Sequence, residues 1–218
     1  MCGRYALTSS PAVIAKRFHL LWTPALAPHY NIAPGQMIPV VRQTEQGRGL
    51  ALMKWGLIPS WAKEASIGMK LINARGETLA DKPAFRAAYR RRHCLVPADA
   101  FYEWKALAGY KQPYCIRLAD DGPFGMAGLW EHWKDPDGAT VETCTIVTVE
   151  ANALIAQLHE RMPLIVAPDN YDAWLAAESK DLPHAVPAEA MRYYPVSRLV
   201  SNARNDLSAC LDPIDDDA

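Results

Sequence analysis

The most strand-like run of the chain reads Cys94-Leu95-Val96-Pro97-Ala98-Asp99-Ala100-Phe101-Tyr102-Glu103-Trp104-Lys105. Its apolar and aromatic content is typical of a strand that packs against a core. Side chains alternate between the two faces of a strand, so Glu103 would share a face with Phe101 and Lys105. An inward carboxylate is costly without a partner and would point to a function, whereas the spacing alone slightly favours an exposed glutamate at a sheet edge.

Further strand-like runs lie on both sides of this stretch and predict a chain rich in β-sheet. Turns rich in Gly, Pro and Asp separate the runs on its C-terminal side, as in residues 120–123 and 135–138, which is typical of an antiparallel meander. Other strands are predicted over residues 37–41, 50–56, 112–118, 124–130, 142–148 and 164–166, and shorter strands are predicted within residues 71–78 and 193–200.

Helices are predicted at four places between the strands. The first follows the cap Ser9-Ser10-Pro11, with Val13, Ile14, Phe18 and Leu21 at helical spacing on its buried face. This helix would cover the core. The other predicted helices are 81–92, 150–158 and 169–177.

Length and composition fit one folded domain. The 218 residues are 50% hydrophobic and 22% charged, with a formal net charge of -1, so the chain can bury a full core. We expect the domain to span residues 1–211 and an acidic tail, 212–218, to be disordered. No apolar run is long enough to cross a bilayer and no terminal run resembles an export signal, so a cytoplasmic protein is expected.

The five cysteines are odd in number and show no C-x-x-C spacing. This pattern argues against a disulfide framework or a structural zinc site, and it suits a reducing compartment. Cys94, Cys115 and Cys144 lie within apolar runs, and we interpret them as small hydrophobic residues of the core.

The first residues, Met1-Cys2-Gly3-Arg4, are the leading candidate for chemistry. Removal of an initiator Met before a small residue would leave Cys2 with a free α-amine beside its thiol. Both groups are nucleophilic near neutral pH, and with an aldehyde such a pair forms a Schiff base that closes to a thiazolidine ring. Gly3 would allow a substrate to approach closely, and Arg4 would supply a permanent cation. The alternative is that Cys2 is only a buried packing residue.

Three further places carry side chains that suit a site. Asn73 and Arg75 are two residues apart, so on a short strand both would lie on one face. His159 follows a predicted helix and would be accessible to substrate, or would simply be a favourable cation at the helix end. The segment from Trp55 to Trp61 offers two aromatic rings, either for stacking on bases or for anchoring a loop in the core. The sequence contains no glycine-rich phosphate loop, H-E-x-x-H zinc motif or G-x-S-x-G elbow.

Six motifs together resemble the SRAP family, the SOS-response-associated peptidase-like proteins that are understood as abasic-site shields. The motifs are Met1-Cys2-Gly3-Arg4-Tyr5, Asn31-Ile32-Ala33-Pro34-Gly35, Trp55-Gly56-Leu57-Ile58-Pro59, Asn73-Ala74-Arg75-Gly76-Glu77-Thr78, Pro97-Ala98-Asp99-Ala100-Phe101-Tyr102-Glu103-Trp104 and His159-Glu160-Arg161-Met162-Pro163. They follow the family order from residue 1 to about Ser197. The resemblance implies an α+β fold, a single domain with an antiparallel, barrel-like β core flanked by helices.

The resemblance also implies that Cys2 forms a covalent crosslink with abasic sites in single-stranded DNA. The abasic sugar is mostly a closed hemiacetal, so a proton donor must assist its opening to the aldehyde, and this role falls to His159 because histidine exchanges protons near neutrality. Glu103 would hold or deprotonate the amine of Cys2, and Asn73 would hydrogen-bond the opened sugar or the forming adduct. No metal or cofactor is implied.

A second implied set of residues contacts DNA. The set is Arg4, Pro34, Trp61, Arg75, Trp104, Thr148 and Arg161. The three arginines would grip phosphates on either side of the lesion, while Pro34 and Trp61 would wedge or stack against neighbouring bases. The chain departs from the family pattern at Ile32 and Gly76, and we expect Gly76 to loosen the strand that carries Arg75.

The expected partners are single-stranded DNA that contains abasic sites and proteins of the replication fork. No membrane association is expected, and the protein would act as a monomer in the cytoplasm, on the nucleoid when bound to DNA. The enzyme class implied is a crosslinking, lyase-like activity with an autoproteolytic peptidase activity on the first residue.

Two other functions stay open at this point. An N-terminal-nucleophile cysteine hydrolase of the amidotransferase type also begins with Cys-Gly, although the oxyanion hole and glutamine-binding residues that it needs cannot be placed in the sequence. A single-strand DNA-binding module without enzymatic activity would leave Cys2 inert. Substitution of Cys2 separates these functions, because only the module would keep all of its function.

Overall fold

Two β-sheets form the centre of the fold in the computed structural model, which describes residues 2–177 and 181–214. The strands are β1 (Tyr5–Leu7), β2 (His29–Ile32), β3 (Met37–Thr44), β4 (Gly47–Trp55), β5 (Asn73–Arg75), β6 (His93–Ala98), β7 (Ala100–Leu107), β8 (Tyr110–Leu118), β9 (Phe124–Lys134), β10 (Thr140–Glu150), β11 (Arg161–Pro163), β12 (Ile165–Val166) and β13 (Met191–Pro195). The α-helices are α1 (Pro11–Phe18), α2 (Arg86–Tyr89) and α3 (Tyr171–Leu175). Met1, whose removal the sequence predicts, and residues 215–218 of the predicted tail lie outside the described residues.

One of the sheets closes into a five-stranded barrel. Around the ring the neighbours are β10, β4, β3, β6 and β9, and β9 pairs with β10 again. The pairing of β10 with β4 is parallel, as is that of β5 with β10, while the other pairings of the ring are antiparallel. The predicted α+β class and barrel-like core are confirmed. The barrel is mixed because β10 meets β4 and β5 from a distant part of the chain, without the constraint of a hairpin.

The second sheet has the order β13-β8-β7-β1-β2 and is antiparallel throughout. Tyr5 and Phe101 on one face belong to the main core with the barrel residues. Ala6 and Tyr102 on the other face pack in a second cluster with Val200. The sheet that carries the N-terminal segment is therefore buried on both sides.

The run 94–105 does not form the single strand that the sequence predicts. It divides at Asp99 into β6 of the barrel and β7 of the second sheet. Asp99 is buried, and its carboxylate accepts hydrogen bonds from the backbone N–H groups of Thr8 (2.5 Å) and Ser9 (2.7 Å). The Ser9 hydroxyl donates to the same carboxylate (2.5 Å). These partners stabilise the crossing between the sheets and fix the start of α1.

The first predicted helix is confirmed but is shorter. α1 begins after Ser10, whose hydroxyl accepts a hydrogen bond from the N–H of Val13 (3.4 Å). It ends at Phe18 because His19 adopts the left-handed conformation, with φ 53°. Val13 and Leu21, which were both predicted on the buried face, are 44% and 87% exposed.

The helices predicted at 81–92 and 150–158 are wrong in extent, whereas the one at 169–177 is present as α3. Residues 81–92 contain only the single turn α2, and 150–158 contain only a 3₁₀ turn at Ile155–Gln157. There the side-chain oxygen of Asn152 accepts hydrogen bonds from the N–H groups of residues 154 and 155, so a local turn replaces the start of a helix.

The predicted meander is two separate hairpins. β7 and β8 form one hairpin in the second sheet, and β9 and β10 form another in the barrel. The reason is that residues between 118 and 124 carry the chain from one sheet to the other.

Buried cysteines and the end of the chain complete the fold. All five cysteines are buried and unpaired, which confirms the packing role predicted for those in the apolar runs. Pro213 bridges to Val196, so the part of the predicted tail that is described lies against β13. Within the described ranges, no helix has the length and apolarity needed to cross a membrane.

Candidate active site

Cys2 lies in the segment that enters β1 and is fully buried. Its Sγ is 3.8 Å from the backbone oxygen of Arg4, and its own carbonyl accepts a hydrogen bond of 2.8 Å from Nδ2 of Asn73. Burial raises the pKa of the Cys2 thiol well above its ordinary value, and the charge of Glu103 raises it further. The sulfur is therefore a protonated thiol at neutral pH and needs a nearby base to react as a nucleophile.

Asn73 holds Cys2 from β5, the short strand that the sequence predicts. β5 pairs in parallel with β10, which places Asn73 opposite Ile146 and Arg75 opposite Thr148. The second polar atom of the Asn73 amide, Oδ1, is buried and has no hydrogen-bond partner among the residues that the structure describes. An unsatisfied buried acceptor costs stability, so its position beside Cys2 suits contact with a substrate rather than packing.

Glu103 faces inward on β7, which is the orientation that the spacing alone did not favour. It is 3% exposed and lies two residues beyond Phe101, which pairs with Tyr5 of β1. Burial raises the pKa of the Glu103 carboxyl, and the charge of His159 opposes this rise. The carboxylate is thus within electrostatic range of both Cys2 and His159.

His159 is half-buried and follows the 3₁₀ turn Ile155–Gln157. The backbone N–H of Arg161 donates a hydrogen bond of 2.9 Å to Nδ1 of the ring. Because Nδ1 accepts this bond, the neutral ring carries its proton on Nε2. The arrangement fixes one tautomer and makes Nε2 the atom that can give up a proton.

The four predicted catalytic residues come together from four separate segments of the chain. Asn73 is bonded to the backbone of Cys2, and Glu103 interacts electrostatically with the Cys2 thiol and with His159. In the described part of the chain, no group of three or more His, Cys, Asp or Glu side chains is arranged to hold a metal ion.

Arg161 is held by an ion pair at the edge of this site. Its guanidinium donates two hydrogen bonds to the carboxylate of Glu77 (2.6 and 2.9 Å) and one to the backbone oxygen of Thr148 (2.6 Å). The hydrogen bond from Arg161 lowers the pKa of the Glu77 carboxyl. Thr148 itself is fully buried, and its hydroxyl donates to the backbone oxygen of Ala74 (3.5 Å).

Arg4 is tied to the C-terminal part of the chain. Its guanidinium donates to Oδ1 of Asn31 (2.9 Å) and to the backbone oxygens of Val200 (2.6 Å) and Ser201 (3.3 Å). It also lies over the ring of Trp104, 5.9 Å from the ring centroid. Burial lowers the pKa of Arg4, yet the group stays charged at neutral pH.

The other predicted DNA contacts lie at the surface. Arg75 is exposed, and among the residues described here its guanidinium has no hydrogen-bond or ion-pair partner. Pro34 is half-buried in a turn that continues with Gly35 at φ +88°, a conformation that favours glycine. Trp61 is 60% exposed, whereas Trp55 is fully buried, so one ring is free for stacking and the other belongs to the core.

Gly76 does not loosen β5, which was the expectation from the sequence. It follows the strand, begins a 3₁₀ turn and is buried. A Cβ on Gly76 would overlap Cδ1 of Leu182 and would lie 3.3 Å from Cγ1 of Val149. The glycine therefore makes room for Leu182 rather than adding freedom to Arg75. Ile32, the other departure, is buried at the end of β2.

Sequence reasoning missed two residues that position the predicted ones. Glu77 pairs with Arg161, and Asn31 orients Arg4 while its Nδ2 donates to three backbone oxygens of the C-terminal segment. Both lie inside motifs that carry the resemblance, but their partners are 84 and 27 residues away in the chain.

Comparison with known protein families identifies the family to which this sequence belongs. The model of the family described as SOS response associated peptidase (SRAP) matches residues 1–203, nearly the whole chain. The chain belongs to the SRAP family. The match spans both sheets and every one of the four converging residues, as the resemblance of the six motifs predicts.

Relatives in the family carry names that refer to DNA lesions. The chain is 40% identical over 216 residues to the abasic site processing protein YoqW of Bacillus subtilis (strain 168), covering 94% of this chain and 96% of the relative. It is 31% identical to the abasic site processing protein HMCES of Xenopus tropicalis, covering 97% of this chain and 78% of the relative. A crystal structure of a protein from Bacteroides thetaiotaomicron matches with a TM-score of 0.86 at 24% identity, covering 98% of this chain and all of that one, so the two chains share a fold.

Proposed function

We propose that the protein captures abasic sites in single-stranded DNA through a covalent thiazolidine formed by the amine and thiol of Cys2 after Met1 is removed. The observation that carries the proposal is the convergence of an amide, a carboxylate and an imidazole on an otherwise buried N-terminal cysteine. An abasic site is a DNA lesion that presents an aldehyde when its sugar ring opens, and a 1,2-aminothiol traps an aldehyde in two steps.

The reaction divides among the four side chains. His159 assists proton exchange as the sugar hemiacetal opens, through the Nε2 proton that the tautomer provides. Glu103 takes a proton from the ammonium of Cys2, so the neutral amine attacks the aldehyde carbon and water leaves as the C=N bond forms. The sulfur then bonds to the same carbon while its proton passes to the nitrogen. Oδ1 of Asn73 accepts a hydrogen bond from a hydroxyl of the opened sugar.

The arginines give this site its affinity for the strand. Net charge is close to zero, so attraction for DNA must come from local cations rather than from the whole surface. Arg75 is the most available of them, and Trp61 offers an exposed ring for a base to stack on. Arg4 and Arg161 are already bonded to protein groups and would contact phosphate with their remaining donors.

The direct test is the intact mass of the protein after mixing with a single-stranded oligonucleotide that contains one abasic site. We expect a denaturation-resistant species with the mass of the protein lacking Met1 plus the oligonucleotide less one water. An oligonucleotide with a reduced abasic sugar, which has no aldehyde, is the matched control. Reversible binding alone would favour the DNA-binding module, and no binding to either oligonucleotide would favour the N-terminal hydrolase.

Arg75→Ala should weaken binding of single-stranded DNA and flatten its salt dependence. Loss of one phosphate contact lowers the slope of log affinity against log salt by about 0.7. Arg75→Lys, which keeps the charge, should retain most of the slope. The slope is measured by titrating an unreactive abasic oligonucleotide at several salt concentrations. An unchanged slope would show that Arg75 does not contact a DNA phosphate.

Glu77→Gln should have the opposite effect, because it frees Arg161 from its ion pair and makes the edge of the site more positive. We expect tighter binding and a steeper salt dependence in the same titration. Weaker binding by Glu77→Gln would mean that the ion pair is needed to place Arg161 and does not compete with DNA.

A further inference from the structure

An open groove lies between the β7–β8 hairpin and the 3₁₀ turn Arg198–Ser201. Its volume is about 790 Å³. We call it the hairpin groove, and its lining is Trp104, Gly109, Tyr110, Lys111, Ser197, Arg198, Leu199, Ser201 and Asn205. None of the catalytic residues lines it, and within the described ranges it is separate from the Cys2 site.

The chemistry of the hairpin groove suits a nucleic-acid strand. Lys111 and Arg198 are both exposed cations, and no acidic residue lies in the lining. Tyr110 and Leu199 present apolar surface, at 37% and 44% exposure. The Arg198 guanidinium lies 5.6 Å from the centroid of the Tyr110 ring. A base could therefore pack against Tyr110 while Arg198 binds a neighbouring phosphate.

The groove continues from the predicted DNA contacts around Arg4. At its inner end Nε1 of Trp104 donates to the hydroxyl of Ser201 (3.1 Å), and both residues also contact Arg4. At its outer end Tyr110 pairs with Leu107 at the tip of the hairpin. Leu107 lies four residues beyond Glu103 on β7, which corresponds to about 13 Å of extended strand.

We propose that the hairpin groove binds nucleotides of the lesion-containing strand on one side of the abasic site, which rests on the proposed function. Arg4 and Trp104 would hold the nucleotide next to the lesion. The strand would then run outward, with a base against Tyr110 and Leu199 and phosphates on Arg198 and Lys111. The unbroken path from Arg4 and the exposed rings favour a DNA strand over an acidic segment of another protein, which would need only the cations.

The test measures how affinity depends on the length of the DNA that flanks the lesion. Oligonucleotides with an unreactive abasic analogue carry about two or about eight nucleotides on the 5′ side, the 3′ side or both, a range within the usual single-strand site sizes. When the flank on one side is extended, we expect the wild-type protein to bind the oligonucleotide at least roughly ten-fold more tightly than the short form. Tyr110→Ala combined with Arg198→Ala should lose most of that gain, as expected for one stacked base and one phosphate contact.

Two variants control the experiment. Lys134→Ala removes an exposed cation at the far end of β9 and should keep the full gain. Lys111→Glu gives a second test that leaves Tyr110 and Arg198 in place, in case the double variant does not fold, and it should also lose the gain. The groove proposal would be overturned by a wild-type protein with no gain from either flank, or by a folded Tyr110→Ala/Arg198→Ala or Lys111→Glu variant that keeps the gain.

Failure of the groove and failure of the proposed function give different results. The wild-type protein is mixed in parallel with the short oligonucleotide that carries a true abasic site. Covalent capture of this oligonucleotide without any length-dependent gain would overturn the groove alone. Absence of capture would overturn the proposed function, whether or not affinity depends on the length of the flanks.

Discussion

Cys2→Ser should abolish the denaturation-resistant adduct with abasic DNA, which is the largest effect expected of any single substitution in the protein. The serine amine can still condense with the aldehyde, but a hydroxyl closes onto the imine far less readily than a thiol. The variant should therefore form at most a Schiff base, visible on a denaturing gel only after borohydride reduction. A stable adduct without borohydride would contradict ring closure through sulfur.

The matched control is another buried cysteine. Cys210→Ser changes a thiol of the second core cluster, whose Sγ lies 3.6 Å from the backbone oxygen of Asn205, and should leave capture intact. A form that keeps Met1, or carries an N-terminal tag, should fold but fail to capture, because its Cys2 nitrogen is an amide. Capture by that form at the normal rate would contradict the use of the α-amine.

The alternation of apolar residues predicted most strands, because each strand buries one or both faces in a layered core. The break at Asp99 was not predictable in the same way. The partners that make it favourable are backbone N–H groups 90 and 91 residues away, so the run around it has the local pattern of one continuous strand. Helix ends were overestimated for a similar reason, since periodicity continues where a left-handed His19 or an Asn152 turn stops the helix.

The candidate site shows the same limit at the level of single side chains. An aminothiol and its chemistry follow from Cys2 alone, but spacing could not decide whether Glu103 faces inward, because the strand is buried on both faces. The same applies to the two tryptophans, of which Trp55 is core and Trp61 is exposed. Pairings such as Glu77 with Arg161 join residues 84 positions apart and carry no local signal.

His159→Ala should slow covalent capture at neutral pH by about 10² to 10⁴-fold, the usual contribution of a positioned acid or base. Noncovalent affinity for an unreactive abasic oligonucleotide should barely change, because the role proposed for His159 is proton exchange and not binding of phosphate. Single-turnover crosslinking on denaturing gels gives the rate, and a titration gives the affinity. A wild-type capture rate together with a loss of affinity would show that His159 contacts phosphate.

Glu103→Gln should also slow capture, but with a different pH dependence. Burial raises the pKa of the Glu103 carboxyl, so in the wild-type protein the fraction of working carboxylate grows as pH rises through a value above the ordinary range for glutamate. The glutamine variant lacks that rise, and its rate should recover only as the α-amine itself loses its proton, near pH ~8. His159→Ala should show much less recovery over the same range, since hydroxide does not replace a proton donor for sugar opening. Equal recovery of the two variants across the pH series would contradict the separate roles assigned to Glu103 and His159.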